Sequence, residues 1–92
     1  MPYEWDEWAI NALTAIEPHE VQQALAADRR WPRPAVDPSG LRVLTIWART
    51  RAGRALIVAV YHSSGHTWKI IGAREMRADE LAEFAKWEER DE

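Results

Sequence analysis

The chain has 92 residues, of which 47% are hydrophobic and 29% are charged, and its formal net charge is −3. This length predicts one small domain over residues 1–92, and the composition excludes a wholly disordered chain. The absence of cysteine excludes disulfide bonds and zinc sites with thiolate ligands. The longest apolar run, residues 55–61, is far shorter than the ~20 residues of a membrane-spanning helix. The absence of cysteine leads us to expect a cytoplasmic protein.

The N-terminal quarter of the chain predicts a short edge strand followed by two helices. Tyr3-Glu4-Trp5 alternates apolar and polar side chains, as an edge strand does, and Asp6 is a suitable N-cap for a first helix through Ile16. Pro18 fits the first turn of a second helix because that position needs no amide proton. This second helix is expected to end near Ala27.

The middle of the chain predicts a loop and then an antiparallel meander. Residues 28–40 contain three prolines, which block both helix and central strand, so a long irregular loop is expected there. Runs of β-branched and aromatic residues predict strands at 43–49, 55–61 and 67–73, and the short turns between them make the pairings antiparallel. The middle strand is apolar on both faces, which predicts a central strand covered on each side.

The residue pattern near the end of the chain predicts the third strand of the meander and a C-terminal helix. Strict alternation places Lys69 and Ala73 on one face of the sheet, and Gly72 and Arg74 on the other. Residues 78–89 predict a helix that covers one face. The predicted fold class is therefore α+β, with two N-terminal helices, an antiparallel twisted sheet of three or four strands and a C-terminal helix.

Positive charge is concentrated in the predicted meander. Residues 41–74 hold no acidic side chain, whereas every Asp and Glu lies in the flanking segments. The cationic residues of the meander are Arg42, Arg49, Arg51, Arg54, Lys69 and Arg74. Such a surface suits the phosphate backbone of RNA, which is recognised mainly through charge, while the acidic flanks would suit a basic partner.

Five short motifs occur in order along nearly the whole chain. They are Glu4-Trp5-Asp6, Ile16-Glu17-Pro18-His19-Glu20-Val21, Arg49-Thr50-Arg51-Ala52-Gly53-Arg54-Ala55-Leu56, Ile70-Ile71-Gly72-Ala73-Arg74 and Glu80. Together they resemble the BrnT-type toxins of bacterial toxin–antitoxin systems, which belong to the RelE/ParE-like fold group. Two positions depart from the family pattern: Thr14-Ala15 stands where many members carry His-Gly, and Phe84 stands where many carry Tyr.

The resemblance implies a metal-independent endoribonuclease that cleaves mRNA, needs no cofactor and is neutralised by a cognate antitoxin protein. Cleavage of this kind needs an aligned 2′-hydroxyl, proton transfer and positive charge where the phosphorane develops. The predicted catalytic residues are Arg74, Arg49 and His62, and the predicted RNA-binding residues are Arg51, Arg54, Lys69 and Tyr61. No metal ligands are predicted.

Each predicted site residue also has a purely structural interpretation. Arg74 could be a surface cation paired with Glu75 or Glu80, and the hairpin arginines could be solvated or paired with the acidic helices. His62 and His66 flank the predicted second turn, where histidine is commonly polar surface. One of them could instead transfer protons, since imidazole titrates near neutral pH.

The aromatic residues leave the same two possibilities open. Tyr61 could orient its hydroxyl at a site or lie in the core, and the six tryptophans could stack unpaired bases, although packing is favoured. The alternative function is therefore a non-catalytic interaction module of the same fold, whose sheet binds a partner protein. The missing family His and Tyr favour this alternative.

Overall fold

The computed structural model describes residues 3–65 and 67–90, which form one mixed sheet and three helices. The elements are β1 (Tyr3–Trp5), α1 (Glu7–Ala12), α2 (Pro18–Leu25), β2 (Trp31–Val36), β3 (Arg42–Arg49), β4 (Ala55–Ser64), β5 (Thr67–Glu75) and α3 (Ala78–Arg90). The strand order is β1-β5-β4-β3-β2, with β1 parallel to β5 and the other pairs antiparallel. The α+β class is confirmed, but the prediction of a purely antiparallel sheet of three or four strands is wrong.

Strand β2 occupies the segment that was predicted to be an irregular loop. It pairs with β3 from Trp31 to Val36. Pro32 and Pro34 are compatible with a strand here because β2 is at the sheet edge, where an N–H that faces solvent is not needed for the ladder. The Trp31 ring stacks on Trp87 of α3 with centroids 5.4 Å apart, which fixes the strand to the rest of the domain.

The first helix is shorter than predicted, whereas the other two nearly match. α1 ends at Ala12, and Ala15 then adopts a φ of 61°, outside the helical region. Ile16 is nonetheless buried in the core. α2 begins at Pro18 as predicted and ends at Leu25, and α3 covers the predicted segment with one further residue.

One side of the sheet, here called the α2 face, carries the larger hydrophobic core. α2 packs across β3 and β4, and α1 lies against β5. Its fully buried side chains are those of Val21, Ala24, Ala48, Leu56, Val58 and Val60, each 0% exposed. Tyr3 and Trp5 of β1 pack against the same core, which holds the short edge strand in place.

The opposite side, here called the α3 face, is covered only in part. Phe84 of α3 is 0% exposed and packs with Trp47, Ala55, Ile57 and Met76. Farther along β4 on the same face, residues 59 and 61 are partly exposed. The prediction that the central strand is covered on both sides therefore holds only for its first half.

A β-bulge in β5 reverses the predicted alternation of its side chains. Ile70 pairs with Val60, whereas Gly72 pairs with Ala59, so Ile71 is the extra residue. As a result Ala73 packs into the core of the α2 face, and the prediction that it shares a face with Lys69 is wrong. Gly72, Arg74 and Lys69 instead all belong to the α3 face.

Candidate functional site

Three rows of cross-strand neighbours run across the α3 face. The first is Trp31, Trp47, Ile57 and Arg74, the second is Arg33, Thr45, Ala59 and Gly72, and the third is Tyr61, Lys69 and Glu4. The first row lies under the aromatic residues of α3. The second row therefore begins where the cover of α3 ends, except at Arg33, which pairs with Glu83 of α3.

The second row forms a shallow trench, defined here by Arg33 on the edge strand and by the small residues Thr45, Ala59 and Gly72. The Arg33 guanidinium is paired with Glu83 of α3 at 2.9 Å and lies over the Trp31 and Trp47 rings. All four residues are partly exposed, although three of them lie in interior strands. A Cβ atom added at Gly72 would meet no atom within 4 Å, so the space above this residue is open. The flanking rows are four residues apart on β4, which corresponds to about 13 Å.

Two cations lie on β5 on either side of Gly72. Lys69 belongs to the row beyond the trench and Arg74 to the row beneath α3. Lys69 Nζ is 3.8 Å from Glu4 Oε1, and the Glu4 side chain is 61% exposed. So long and exposed an ion pair contributes little free energy, and a phosphate can compete with it. Tyr61 pairs with Lys69 and places its ring on the same face.

Arg74 is held by the buried carboxylate of Glu80. Its Nη1 and Nη2 atoms donate to Glu80 Oε1 and Oε2 at 2.7 and 2.6 Å, and Nη1 also donates to the carbonyl of Glu75 at 3.3 Å. The Arg74 guanidinium, with burial acting against it, lowers the pKa of Glu80 to about 2. Arg74 is therefore paired with Glu80, as its structural interpretation expected, yet its side chain remains 49% exposed.

Arg49 is on the α3 face but does not line the trench. Its Nε and Nη2 atoms donate to the two oxygens of Glu88 at 2.9 Å each, which raises the pKa of Arg49. Its guanidinium carbon also lies 5.6 Å from the centroid of the Phe84 ring. Arg49 and Arg74 thus bind opposite ends of α3 rather than forming one cationic cluster.

The two remaining hairpin arginines lie on the side of α2. Arg54 forms salt bridges with Glu20 at 3.0 Å and with Glu75 at 3.2 Å. The backbone N–H of Arg51 donates to Gln23 Oε1 at 3.1 Å, and its side chain is exposed. Neither residue belongs to the rows that border the trench.

His62 lies on the α2 face, opposite the trench. It pairs with Trp68, the two ring centroids are 5.1 Å apart, and its Nε2 atom contacts the carbonyl of Gly65. The predicted catalytic residues Arg74 and His62 are therefore not brought together. His66 lies outside the described residues. His19 is exposed at the start of α2, so within 3–65 and 67–90 no imidazole borders the trench.

The tryptophans near α3 pack together rather than lining an open groove. Trp31 lies 5.5 Å from Trp47 and stacks on Trp87, and Phe84 lies 5.5 Å from Trp87. Phe84, where the resembled family carries Tyr, is in the middle of this cluster. The favoured interpretation of packing is confirmed for Trp31 and Trp47.

Sequence reasoning missed most of the trench. Arg33 was assigned to a loop, and strict alternation placed Gly72 on the wrong side relative to Lys69. Thr45 and Ala59 carried no signal of their own, because small residues in a strand are compatible with either face. The spacing of glycine two residues before a strand-terminal arginine was the one visible clue.

No family model matches this chain, and no curated protein matches it. Among the described residues no helix has the length and apolar character needed to span a membrane. The same part of the chain contains no group of three His, Cys, Asp or Glu side chains arranged to hold a metal ion.

Proposed function

We propose that this chain is the toxin component of a type II toxin–antitoxin pair, RelE/ParE-like in fold, and that it binds and cleaves RNA at the trench. The single observation that carries the proposal is the position of Lys69, Tyr61 and Arg74 around an open row of small residues on one sheet face. The proposed toxin family rests on the five sequence motifs, which resemble those of the BrnT-type toxins. Its predicted antitoxin is a second protein that would cover the same face.

In this proposal one edge of the Arg74 guanidinium binds the scissile phosphate, while Glu80 binds the other edge of the same guanidinium. The Glu80 carboxylate uses Nη1 and Nη2, and no described residue accepts a hydrogen bond from Nε. Lys69 attracts the RNA backbone, and the Tyr61 hydroxyl can orient the reacting groups. Glu80 is unsuited to be the general base at neutral pH, because a carboxylate with a pKa of about 2 binds protons weakly.

A second candidate function is a non-catalytic interaction module with the same fold. The observation that favours it is that Arg49, Arg54 and Arg74 are all held by carboxylates. The absence of an imidazole at the trench within the described residues points the same way. A partner protein would then occupy the trench in place of RNA.

Induced expression tests the toxin proposal directly. We would compare the native chain with Lys69→Gln, Arg74→Gln and, as a matched control, Arg51→Gln, which removes an exposed cation outside the trench. We expect growth arrest and loss of intact total RNA for the native chain and the control, and neither effect for the two trench variants at equal soluble levels. Purified native chain should cleave RNA in the presence of EDTA.

The contrary results are equally specific. Harmless expression with intact RNA for the native chain would favour the interaction module. Arrest that Arg51→Gln abolishes and Lys69→Gln leaves unchanged would move the site from the trench to the hairpin.

A further inference from the structure

Gly72 is a glycine that the fold itself does not require. The glycines with positive φ are Gly40, Gly53 and Gly65, whereas Gly72 has an ordinary strand conformation. Its position would also tolerate a side chain, since an added Cβ meets no atom within 4 Å. Glycine within a strand costs roughly 0.5–1 kcal/mol relative to alanine, because its backbone loses more freedom on folding. Neither a positive φ nor packing therefore explains the residue, which lies beside the bulge at Ile71 on the open side of the sheet.

The surroundings of Gly72 indicate what the open space can receive. Lys69 and Arg74 precede and follow it on the same strand, and both side chains are partly exposed. The neighbours across the sheet, Ala59 and Thr45, also have small side chains on this face. A polyanion bound along the trench would therefore contact Lys69 on one side and Arg74 on the other, at the position of Gly72, where no side chain is present.

We infer that Gly72 is a specificity-determining residue, whose missing side chain lets the sugar–phosphate backbone of single-stranded RNA reach the main chain of β5. This inference rests on the proposed function. The trench is about 13 Å between its flanking rows and bounded on one side by α3, which suits one extended strand. Duplex RNA presents two backbones and turns its bases inward, so it should bind more weakly.

A binding series that does not depend on cleavage tests the inference. The probe is a fluorescent 2′-O-methyl RNA decamer, which cannot be cleaved through its 2′-oxygens, as a single strand and as a duplex. Binding and thermal stability would be measured for the native chain, Gly72→Ala, Gly72→Val, Lys69→Gln and, as a control, Lys86→Gln, which removes an exposed cation of α3 outside the trench. The two Gly72 variants add side chains of increasing size to the trench without changing the charge, and valine is favoured in strands.

We expect Gly72→Val to weaken single-strand binding by about tenfold or more, equivalent to about 1.4 kcal/mol, with Gly72→Ala intermediate. Thermal stability should stay equal or rise in both, which a merely structural role of Gly72 would not produce. The native chain should prefer the single strand to the duplex, and Lys86→Gln should bind like the native chain.

Native-like binding by both Gly72 variants, with binding lost in Lys69→Gln, would overturn the inference and leave the proposed function intact. Equal affinity of the native chain for single strand and duplex would also overturn it. If Gly72→Val were unstable, the Gly72→Ala variant alone would decide, since it adds one methyl group into open space. No binding of either RNA by the native chain would remove both the inference and the proposed function.

Discussion

Glu80 accepts three hydrogen bonds while it is only 8% exposed. Two come from Arg74 and the third comes from the backbone N–H of Arg77 at 2.8 Å. A buried carboxylate is tolerated only when such partners replace water, and two of these donors belong to a cation. The residue therefore links the first turn of α3 to the end of β5 and orients the guanidinium that borders the trench.

Removing this carboxylate should destabilise the fold. Glu80→Ala leaves Arg74 without its main partner and is expected to cost about 1–3 kcal/mol of unfolding free energy. The neighbouring Asp79→Ala is a matched control, because the Asp79 side chain is 79% exposed and lies 3.7 Å from Arg77. Urea denaturation monitored by tryptophan fluorescence measures both. Equal stability of the two variants would contradict this role of Glu80.

The lowered pKa of Glu80 also predicts how stability depends on pH. Hydrogen bonds from Arg74 hold the folded pKa at about 2, below the ordinary value of 4.5. The unfolded chain therefore binds protons first as the pH falls, and the contribution of Glu80, complete above pH 4.5, is lost between 4.5 and about 2. Glu80→Gln should show a shallower loss of stability over this range. A parallel loss in native and variant chains would argue against the assignment.

Helix α3 is fixed to the sheet by one buried aromatic residue and by ion pairs spaced along its length. Its buried stripe runs through Glu80 and Phe84, whereas Leu81 is 38% exposed. The carboxylates pair with sheet arginines, as Glu80 with Arg74, Glu83 with Arg33 and Glu88 with Arg49. Part of the positive charge of the meander thus serves to dock an acidic helix.

Docking of α3 should depend chiefly on Phe84. Phe84→Ala removes a fully buried ring and is expected to cost about 3–5 kcal/mol, whereas Leu81→Ala on the same helix should cost less than about 1 kcal/mol. Thermal or urea denaturation of the two variants checks the difference. Similar costs at both positions would mean that the helix packs through another stripe.

At the scale of the whole molecule, the opposite charges of meander and flanks meet in the folded structure and largely neutralise each other. The net charge of −3 makes general coating of nucleic acid unfavourable. The proposed binding of RNA must then depend on a few local cations. Lys69 and the exposed edge of Arg74 border the trench, and Arg33, which is paired with Glu83, lies at its end on β2.

Salt dependence should report how many phosphates these cations contact. For single-stranded RNA, the slope of log K against log salt changes by about 0.7 for each contact, so Lys69→Gln should make the slope about 0.7 less steep. Fluorescence anisotropy titrations from low to moderate salt measure the slope. An unchanged slope in Lys69→Gln would show that this residue touches no phosphate.

The predictable and unpredictable parts of the fold differ in their physical origin. The meander, α2 and α3 follow from local patterns of hydrophobic residues and turns, which the sequence shows directly. Strand β2 pairs with β3 and its Trp31 packs on Trp87; both are contacts between distant residues, and its prolines fit because the strand is at the sheet edge. The bulge at Ile71 was missed although Gly72 follows it, since a glycine within a strand often marks a bulge, and it decides which residues share a face with Lys69. The opposed charges of meander and flanks did leave ion pairing open as one of two interpretations, and Arg49 and Arg74 are indeed paired with Glu88 and Glu80 of α3.

The measurement that tests the account most directly is an amide chemical-shift map of the native chain during titration with the uncleavable single-stranded RNA. The account predicts that the largest shifts fall on Thr45, Ala59, Gly72 and their neighbours Lys69 and Arg74. Amides of the hairpin at 50–54 and of His62 should change little. Shifts concentrated on the hairpin or on the α2 face, or no shifts at all, would contradict the assignment of the trench as the RNA site.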